Sequence, residues 1–207
     1  MALSDLSFKL YTDANLTNLF SGLYQLVHNT DLSDNPQDFT LYLGSNTASR
    51  KLQASSNPGV DNITLTPTYI LPEWAAATVY SLGNSVEPTT PNTYRYVVTT
   101  AGTSHAVTEP TWPTAAIGDT VTDGTVVWTL VSKRHPATEV KLATTSGGLA
   151  GATGGAALTV GTVVNSAIAN AFEFHIRITN TVVTVSNNTG YPELAVYINQ
   201  VVETSTI

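Results

Sequence analysis

The chain contains no cysteine and few charged residues of either sign. Without thiols it can form neither a disulfide framework nor a thiolate metal site. Charged residues make up only 11% of the 207 positions, and the eight lysines and arginines never cluster beyond a pair. Because a nucleic-acid-binding protein needs a basic surface to neutralise phosphates, the sequence predicts no nucleic-acid partner.

Long apolar runs are also missing. No stretch approaches the roughly 20 apolar residues that a membrane-spanning helix requires. The first residues, MALSDLSFKLYTD, lack the basic and apolar regions of an export signal. The sequence therefore predicts neither membrane insertion nor secretion. Three Asn-x-Thr sequons, at Asn15, Asn62 and Asn187, are interpreted as chance occurrences because glycosylation would require export.

Residues with catalytic or metal-binding chemistry are scattered along the chain. The histidines are far apart in sequence and have no partner at ligand spacing, so they predict neither a zinc site nor a catalytic base; they are His28, His105, His135 and His175. Residues 31–38 lack the alternating acids and central glycine of a calcium loop. No nucleophile-elbow signature is present. We therefore predict a non-enzymatic protein with no catalytic residue, metal site or cofactor.

A glycine-rich run, TTSGGLAGATGGAAL, occupies residues 144–158. It lacks the Gly-Lys-Ser/Thr ending of a phosphate-binding loop and the spacing of a dinucleotide fingerprint. We predict a mobile surface loop or a segment that becomes ordered on assembly.

Strand patterns dominate both ends of the chain. Alternation or β-branched enrichment predicts strands at 39–43, 62–66, 138–143, 158–164, 172–178 and 194–198. In the clearest of these, the four apolar residues from Phe172 to Ile178 would share one face and the charged residues between them the other. The fold class predicted from these patterns is all-β, with the strands packed as a β-sandwich.

Residues 13–28 fit two structures. Leu16, Leu19, Phe20 and the apolar residues that follow form a helical stripe, with Asp13 as its N-cap. Ser21 and Gly22 interrupt that stripe, and residues 22–28 could equally form a strand. We favour the strand.

The middle of the chain has an aromatic composition of its own. All three tryptophans lie between residues 74 and 128, and proline-containing stretches at 66–74 and 132–139 delimit this segment. We predict a small β module at 73–132 inserted into a discontinuous β-sandwich formed by 1–72 plus 133–207. Three sequential small domains are the alternative. Insertion is favoured because neither flank alone has enough strands to close a two-sheet core.

The two tryptophans of EPTWPTAAIGDTVTDGTVVWTLV, residues 109–131, are predicted to differ in exposure. Trp128 shares its face of a strand with Val126 and Leu130, so we expect it to be buried. Trp112 lies beside prolines in a turn, so we expect it to be exposed.

The aromatic segment resembles a known family. Its stretches WAAATVYSLGNSV, YRYVVTTAGTS and EPTWP are similar to the chitin-binding-type carbohydrate-binding modules that accompany chitinases and cellulases. GDTVTDGTVVWTLV, residues 118–131, extends the likeness to the version associated with structural proteins of tailed bacteriophages. The resemblance implies an aromatic surface that stacks on sugar rings. The residues that would carry it are Trp74, Tyr80, Tyr94, Tyr96 and Trp112.

The flanks resemble Ig-like virion proteins of phages. The stretches concerned are DFTLYLGSNTASRKLQASSNPGVDNITLTP, ATEVKLA, GAALTVGTVV and ANAFEFHIRIT. The resemblance implies an Ig-like β-sandwich that docks on the particle through other virion proteins, such as major capsid or tail subunits.

Together these features predict an accessory or decoration-type structural protein of a tailed bacteriophage, assembled in the host cytoplasm and resident in the virion. We expect a homo-oligomer or many copies on a symmetric particle, with the aromatic module facing outward and a host surface glycan as a further partner. One alternative is a tail or baseplate adhesin for host glycans. The other is a binding module of a polysaccharide-degrading enzyme.

Overall fold

The structure is a computed structural model that describes residues 5–22, 24, 31, 33–181 and 193–206. Its helical elements in these ranges are short 3-10 turns, among them Ala137–Glu139, Ser146–Ala150 and Ile168–Asn170. No helix in the described ranges is long and apolar enough to cross a bilayer. Strands form the rest of the regular structure, so the predicted all-β fold class is confirmed.

The strands are, in chain order, β1 (Lys9–Tyr11), β2 (Gln37–Gly44), β3 (Arg50–Ala54), β4 (Ile63–Tyr69), β5 (Val79–Tyr80), β6 (Ser85–Val86), β7 (Tyr94–Thr100), β8 (Gly102–Thr103), β9 (Thr120–Asp123), β10 (Val126–Lys133), β11 (Val140–Ala143), β12 (Leu158–Gly161), β13 (Val163–Asn165), β14 (Phe172–Ile178), β15 (Leu194–Ile198) and β16 (Val201–Ser205).

The chain divides into two compact units. The first contains the described parts of residues 1–68, 137–181 and 195–207, and the second contains residues 69–136 together with Glu193 and Leu194. The predicted insert, residues 73–132, lies inside this second unit.

The first unit contains three sheets, with strand orders β1-β2-β14-β11, β12-β4-β15 and β13-β3-β16. Each sheet contributes to one apolar core, through Leu43 of β2, Ile63 of β4 and Leu52 of β3 among others. Sheets that bury their apolar faces against each other in this way form a β-sandwich. The core explains why alternation was a good guide to the strands here.

Each predicted strand of the flanks overlaps an observed one; two of the six have the predicted bounds, two differ by a few residues at their ends, and two differ in structure. The first residues of 138–143 belong to a 3-10 turn that buries Glu139. The predicted strand 158–164 is divided between β12 and β13, which pair in different sheets. Gly161, at the end of β12, has a φ of 129°, a value that β-branched residues avoid, and it lets the chain pass from one sheet to the other.

Strand β14 has the predicted two faces. Phe174 and Ile176 are buried, Glu173 is exposed, and the strand lies between β2 and β11 in antiparallel register. The charged residues form cross-strand contacts on the polar face. Arg177 donates to both carboxylate oxygens of Asp38 at 2.8 and 2.7 Å.

Residues 13–22 form a capped turn rather than a helix. The Asp13 carboxylate accepts hydrogen bonds from the backbone N–H groups of Asn15, Thr17 and Asn18. Leu16 has a positive φ of 54° and is buried beside Gly44. Side-chain capping of this kind competes with helix formation. Of the favoured strand at 22–28, residues 23 and 25–28 lie outside the described residues.

The glycine-rich run is packed rather than loose. Thr145 caps the 3-10 turn Ser146–Ala150 by accepting from the N–H of Gly148, and Leu149 within the turn is buried. Gly155 donates its N–H to the carbonyl of Val140. These contacts argue against the predicted mobile loop, because a buried leucine and backbone hydrogen bonds hold the segment against β11.

Candidate functional site in the aromatic unit

The second unit is built around a four-stranded antiparallel sheet of order β6-β7-β10-β9, beside the short pair β5-β8. Alternate residues of β10 point into its core: Val126, Trp128 and Leu130 are each buried, and Trp128 is fully inaccessible. The predicted burial of Trp128 is therefore confirmed. Its ring meets Tyr80 edge-on, with centroids 4.8 Å apart.

One buried carboxylate organises this core. Asp123, at the end of β9, is 2% exposed. Its Oδ2 accepts hydrogen bonds from the indole Nε1 of Trp74 at 2.7 Å and of Trp128 at 3.2 Å. Its Oδ1 accepts the backbone N–H of His105 at 2.7 Å. The carboxylate thus joins three segments that are distant in sequence and satisfies two buried indoles.

Trp112 is held by a second carboxylate. Glu109 accepts the indole N–H of Trp112 at 2.8 Å and the backbone N–H of Thr89 at 3.0 Å. The hydroxyl of Thr89 also donates to Glu109. The Trp112 ring packs on Tyr96 with centroids 4.4 Å apart. Trp112 is consequently fixed in position and half-buried, whereas the sequence had predicted that it would be exposed.

The five residues expected to bind sugar fall into two groups. Trp74, Tyr80 and Tyr96 are buried in the core of the unit, at 8%, 7% and 0% exposure. Their ring faces are covered by protein, so they offer no platform to a sugar. The physical reason is size, because a unit this small needs its largest side chains to fill its core. Tyr94 and Trp112 remain partly exposed at the margin of the same cluster.

The hydroxyl groups of two buried tyrosines are used internally. Tyr96 donates to the carbonyl of Pro113 at 2.8 Å and accepts from the side-chain amide of Asn92 at 2.8 Å. The Tyr80 hydroxyl accepts the backbone N–H of Ala75 at 2.9 Å. These bonds attach the loops around the rings, which is a structural use of the polar end of a tyrosine. The burial of Tyr96 could have been predicted from the sequence, because Tyr96 lies in the middle of an apolar strand beside Val97 and Val98.

An ionic cluster, formed by Tyr69, Glu87, Arg95, Arg134 and Glu193, lies within the same unit. Arg95 and Glu193 are almost fully buried, with 3.6 Å between Nη1 and Oε1. Arg134 lies 3.3 Å from Glu87, and its guanidinium carbon lies 3.9 Å above the ring of Tyr69. Sequence reasoning missed this cluster, although an arginine inside the apolar strand YRYVV was a signal of a buried charge partner.

Two members of the ionic cluster, Glu87 and Tyr69, have raised pKa values. Burial raises the pKa of Glu87, and the nearby Arg134 partly opposes that rise. Burial also raises the pKa of Tyr69, reinforced by the negative charges of Glu193 and Glu87. Charged groups removed from water are stable only when paired, so the cluster fixes the chain where it enters the second unit, at Tyr69, and where it leaves, at Arg134.

The polar face of β14 in the first unit carries a hydroxyl–imidazole–carboxylate row. The Oγ1 of Thr40 lies 2.9 Å from Nδ1 of His175, and Nε2 of His175 lies 3.2 Å from Glu173. Glu173 is half exposed, and the three side chains lie on the face of a sheet. Among the described residues, no group of three or more histidine, aspartate or glutamate side chains could hold a metal ion.

Comparison of the chain with protein-family models, with curated proteins and with solved structures gives no match. The likeness of residues 74–131 to carbohydrate-binding modules is therefore carried by the spacing of aromatic residues and turns alone. Among the residues that carry it, Tyr94 and Trp112 are the two rings that the fold leaves partly exposed.

Proposed function

We propose that the chain is an accessory structural protein of a tailed bacteriophage particle, with the β-sandwich as the attachment unit and the aromatic unit as a displayed module. The observation that carries a displayed module is the meeting of its chain ends, with Arg134 3.9 Å above the ring of Tyr69. A folded unit whose ends meet can occupy one connection of a host domain without opening that domain.

The assignment to a phage particle is supported by the resemblance of residues 38–67 and 118–131 to phage structural proteins. A sandwich offers sheet faces and strand edges for contacts with capsid or tail subunits. On a symmetric particle the chain would be present in many copies. Repetition matters for a displayed module, because many weak contacts made together exceed a single contact by about 10²–10⁴ in avidity.

The half-buried pair Tyr94 and Trp112 is the part of the module that we propose for contact with sugar. Glu109 fixes the Trp112 indole through a 2.8 Å hydrogen bond, so little side-chain freedom is lost on binding. Rings held in this way can stack on the C–H faces of a pyranose. With two partly covered rings instead of five, we expect each copy to bind weakly.

The sugar contact is tested with the full chain on a glycan array and on insoluble chitin and cellulose. Trp112→Ala and Tyr94→Ala should each abolish retention. Tyr197→Ala is the matched control, because Tyr197 is a 53% exposed ring on β15 in the first unit, and it should leave retention unchanged. Near-ultraviolet circular dichroism verifies that each variant is folded. Equal retention of all three variants, or none by the native chain, would contradict the sugar contact.

A tail or baseplate adhesin is the second candidate, and the partly exposed rings favour it because an adhesin needs an outward-facing contact. The two functions differ in an adsorption assay. An adhesin added as free protein should block adsorption of the particle to its host, and the Trp112→Ala variant should not. A decoration protein should bind to particles and leave adsorption unaffected.

A further inference from the structure

The imidazole of His105 closes a turn at the start of the segment that carries Trp112. Its Nδ1 lies 2.9 Å from the backbone N of Thr108 and 3.3 Å from that of Val107. A backbone N–H can only donate, so Nδ1 must present a lone pair. The neutral ring then carries its proton on Nε2. A protonated ring would carry hydrogens on both nitrogens and would turn this acceptor into a donor.

We propose that His105 is a proton-sensitive cap for residues 105–112, so that mild acid opens the turn and alters the presentation of Trp112. The segment has two attachments. At its start, the N–H of His105 donates to Asp123, the carboxylate that also holds Trp74 and Trp128. Further along, Glu109 holds the indole of Trp112. Loss of the His105 cap therefore frees the backbone between the two carboxylates.

The imidazole of His175, on β14, makes a different pair of contacts. The partner of His175 Nδ1 is the hydroxyl of Thr40, which can donate to a neutral ring or accept from a protonated one. Its Nε2 faces Glu173 at 3.2 Å, a contact that protonation strengthens. Protonation therefore preserves both contacts of His175 and removes both contacts of His105. The chain thus carries its own internal control.

The groups around His105 come from several segments. Asp123, on β9, accepts the backbone N–H of His105, and the N–H groups of Val107 and Thr108 face its Nδ1. The segment 74–79 contacts His105 through the N–H of Ala77, which donates to the His105 carbonyl, and brings no charge. Glu109, four residues ahead, is engaged by Thr89 and Trp112.

The test is nuclear magnetic resonance of the ¹⁵N-labelled full chain between pH 7.5 and 5.0 at constant ionic strength. The ring signals of His105 should show the Nε2–H tautomer at the upper pH. As the ring titrates, the amide signals of Val107 and Thr108 and the indole N–H signal of Trp112 should shift along the same curve. Protection of the two amides from hydrogen exchange should fall about tenfold, the effect of losing such hydrogen bonds.

Two variants isolate the effect. His105→Asn keeps a side-chain oxygen that accepts from following backbone N–H groups but does not titrate, so the shifts should disappear. His175→Gln removes the other imidazole, and the shifts should persist. Any one of four results would overturn the proposal. The ring could carry its proton on Nδ1 at pH 7.5, the amide signals of Val107 and Thr108 could stay constant as the ring titrates, or the Trp112 indole signal could stay constant. The fourth is that the shifts persist unchanged in His105→Asn. These readouts use no sugar and no particle, so they can fail or succeed separately from the proposed function.

Discussion

Replacing Asp123 tests how the aromatic unit is held together. Asp123→Ala removes the acceptor of two indole N–H groups and one backbone N–H, all in a site that is 2% exposed. A buried donor left without a partner costs about 1–3 kcal/mol. Partial relaxation makes the three losses less than additive, so we expect a loss of about 3–5 kcal/mol in the free energy of unfolding. Asp123→Asn keeps the shape of the side chain but turns its amide N–H₂ towards one of these N–H donors. The free energy of unfolding should fall by about 1–3 kcal/mol.

The assay is urea denaturation followed by tryptophan fluorescence. All three tryptophans lie in the second unit, so the signal reports on that unit even if the two units unfold separately. Asp119→Ala is the matched control, because Asp119 accepts one N–H, from Ala116 at 2.8 Å, in a nearby turn and should cost about 1 kcal/mol. The reasoning fails if the free energy of unfolding of Asp123→Ala is within about 1 kcal/mol of that of the native chain. It also fails if Asp119→Ala lowers that free energy as much as Asp123→Ala does.

Three further predictions concern pH and packing. Burial raises the pKa of Tyr69, so the folded chain keeps a phenol proton that the unfolded chain releases. Above pH ~10 this group should lower the free energy of unfolding by up to about 1.4 kcal/mol per pH unit, and Tyr69→Phe should make the slope of stability against pH in alkaline urea titrations shallower by that amount. The hydrogen bonds from Arg177 lower the pKa of Asp38, so their contribution is present above the unfolded pKa and disappears as the pH falls through the folded one. Because Asp38 is 42% exposed, Asp38→Asn should lower the free energy of unfolding by less than about 1 kcal/mol at pH 7. A larger loss, measured by thermal denaturation, would disprove this. Gly154→Ala would place a methyl carbon in steric conflict with the backbone carbonyl oxygen of Thr138 and should lower the melting temperature. Gly147→Ala meets nothing within 4 Å and should leave it unchanged, so equal effects of the two variants would refute the packing.

The strands of the sandwich could be predicted from the sequence where one face of the strand is buried and the other is exposed to solvent. Strand β14 has this pattern in full, and its predicted and observed bounds coincide. Strands β3 and β16 were missed because their patterns are mixed: Gln53 of β3 is buried although polar, and β16 ends in Glu203, Thr204 and Ser205. A period-2 pattern indicates a strand only when burial divides its residues by type.

The aromatic unit shows a different limit. Alternation in β10 predicted the burial of Trp128, because its neighbours on the same face are aliphatic. Nothing in residue type alone distinguished Trp74 from Trp112, since an indole suits both a core and a surface platform. Both indoles donate to a carboxylate, and what separates them is where that carboxylate lies: Trp74 donates to the buried Asp123, 49 residues away in sequence, whereas Trp112 donates to Glu109, three residues away. An Asp-Gly pair favours a turn, and Gly124 has a φ of 62°, but the residue pair does not reveal that the Asp123 carboxylate points into the core.

The most direct test of the proposed function is to look for the chain in purified particles. Tailed phage particles from lysates of the source are banded by density, and the chain is measured by quantitative mass spectrometry and located by immunogold labelling. The proposal predicts a fixed number of copies per particle at symmetric positions, with antibodies to residues 73–132 binding intact particles. Particles that lack the chain, or that contain it only in traces removable by washing, would contradict the proposal.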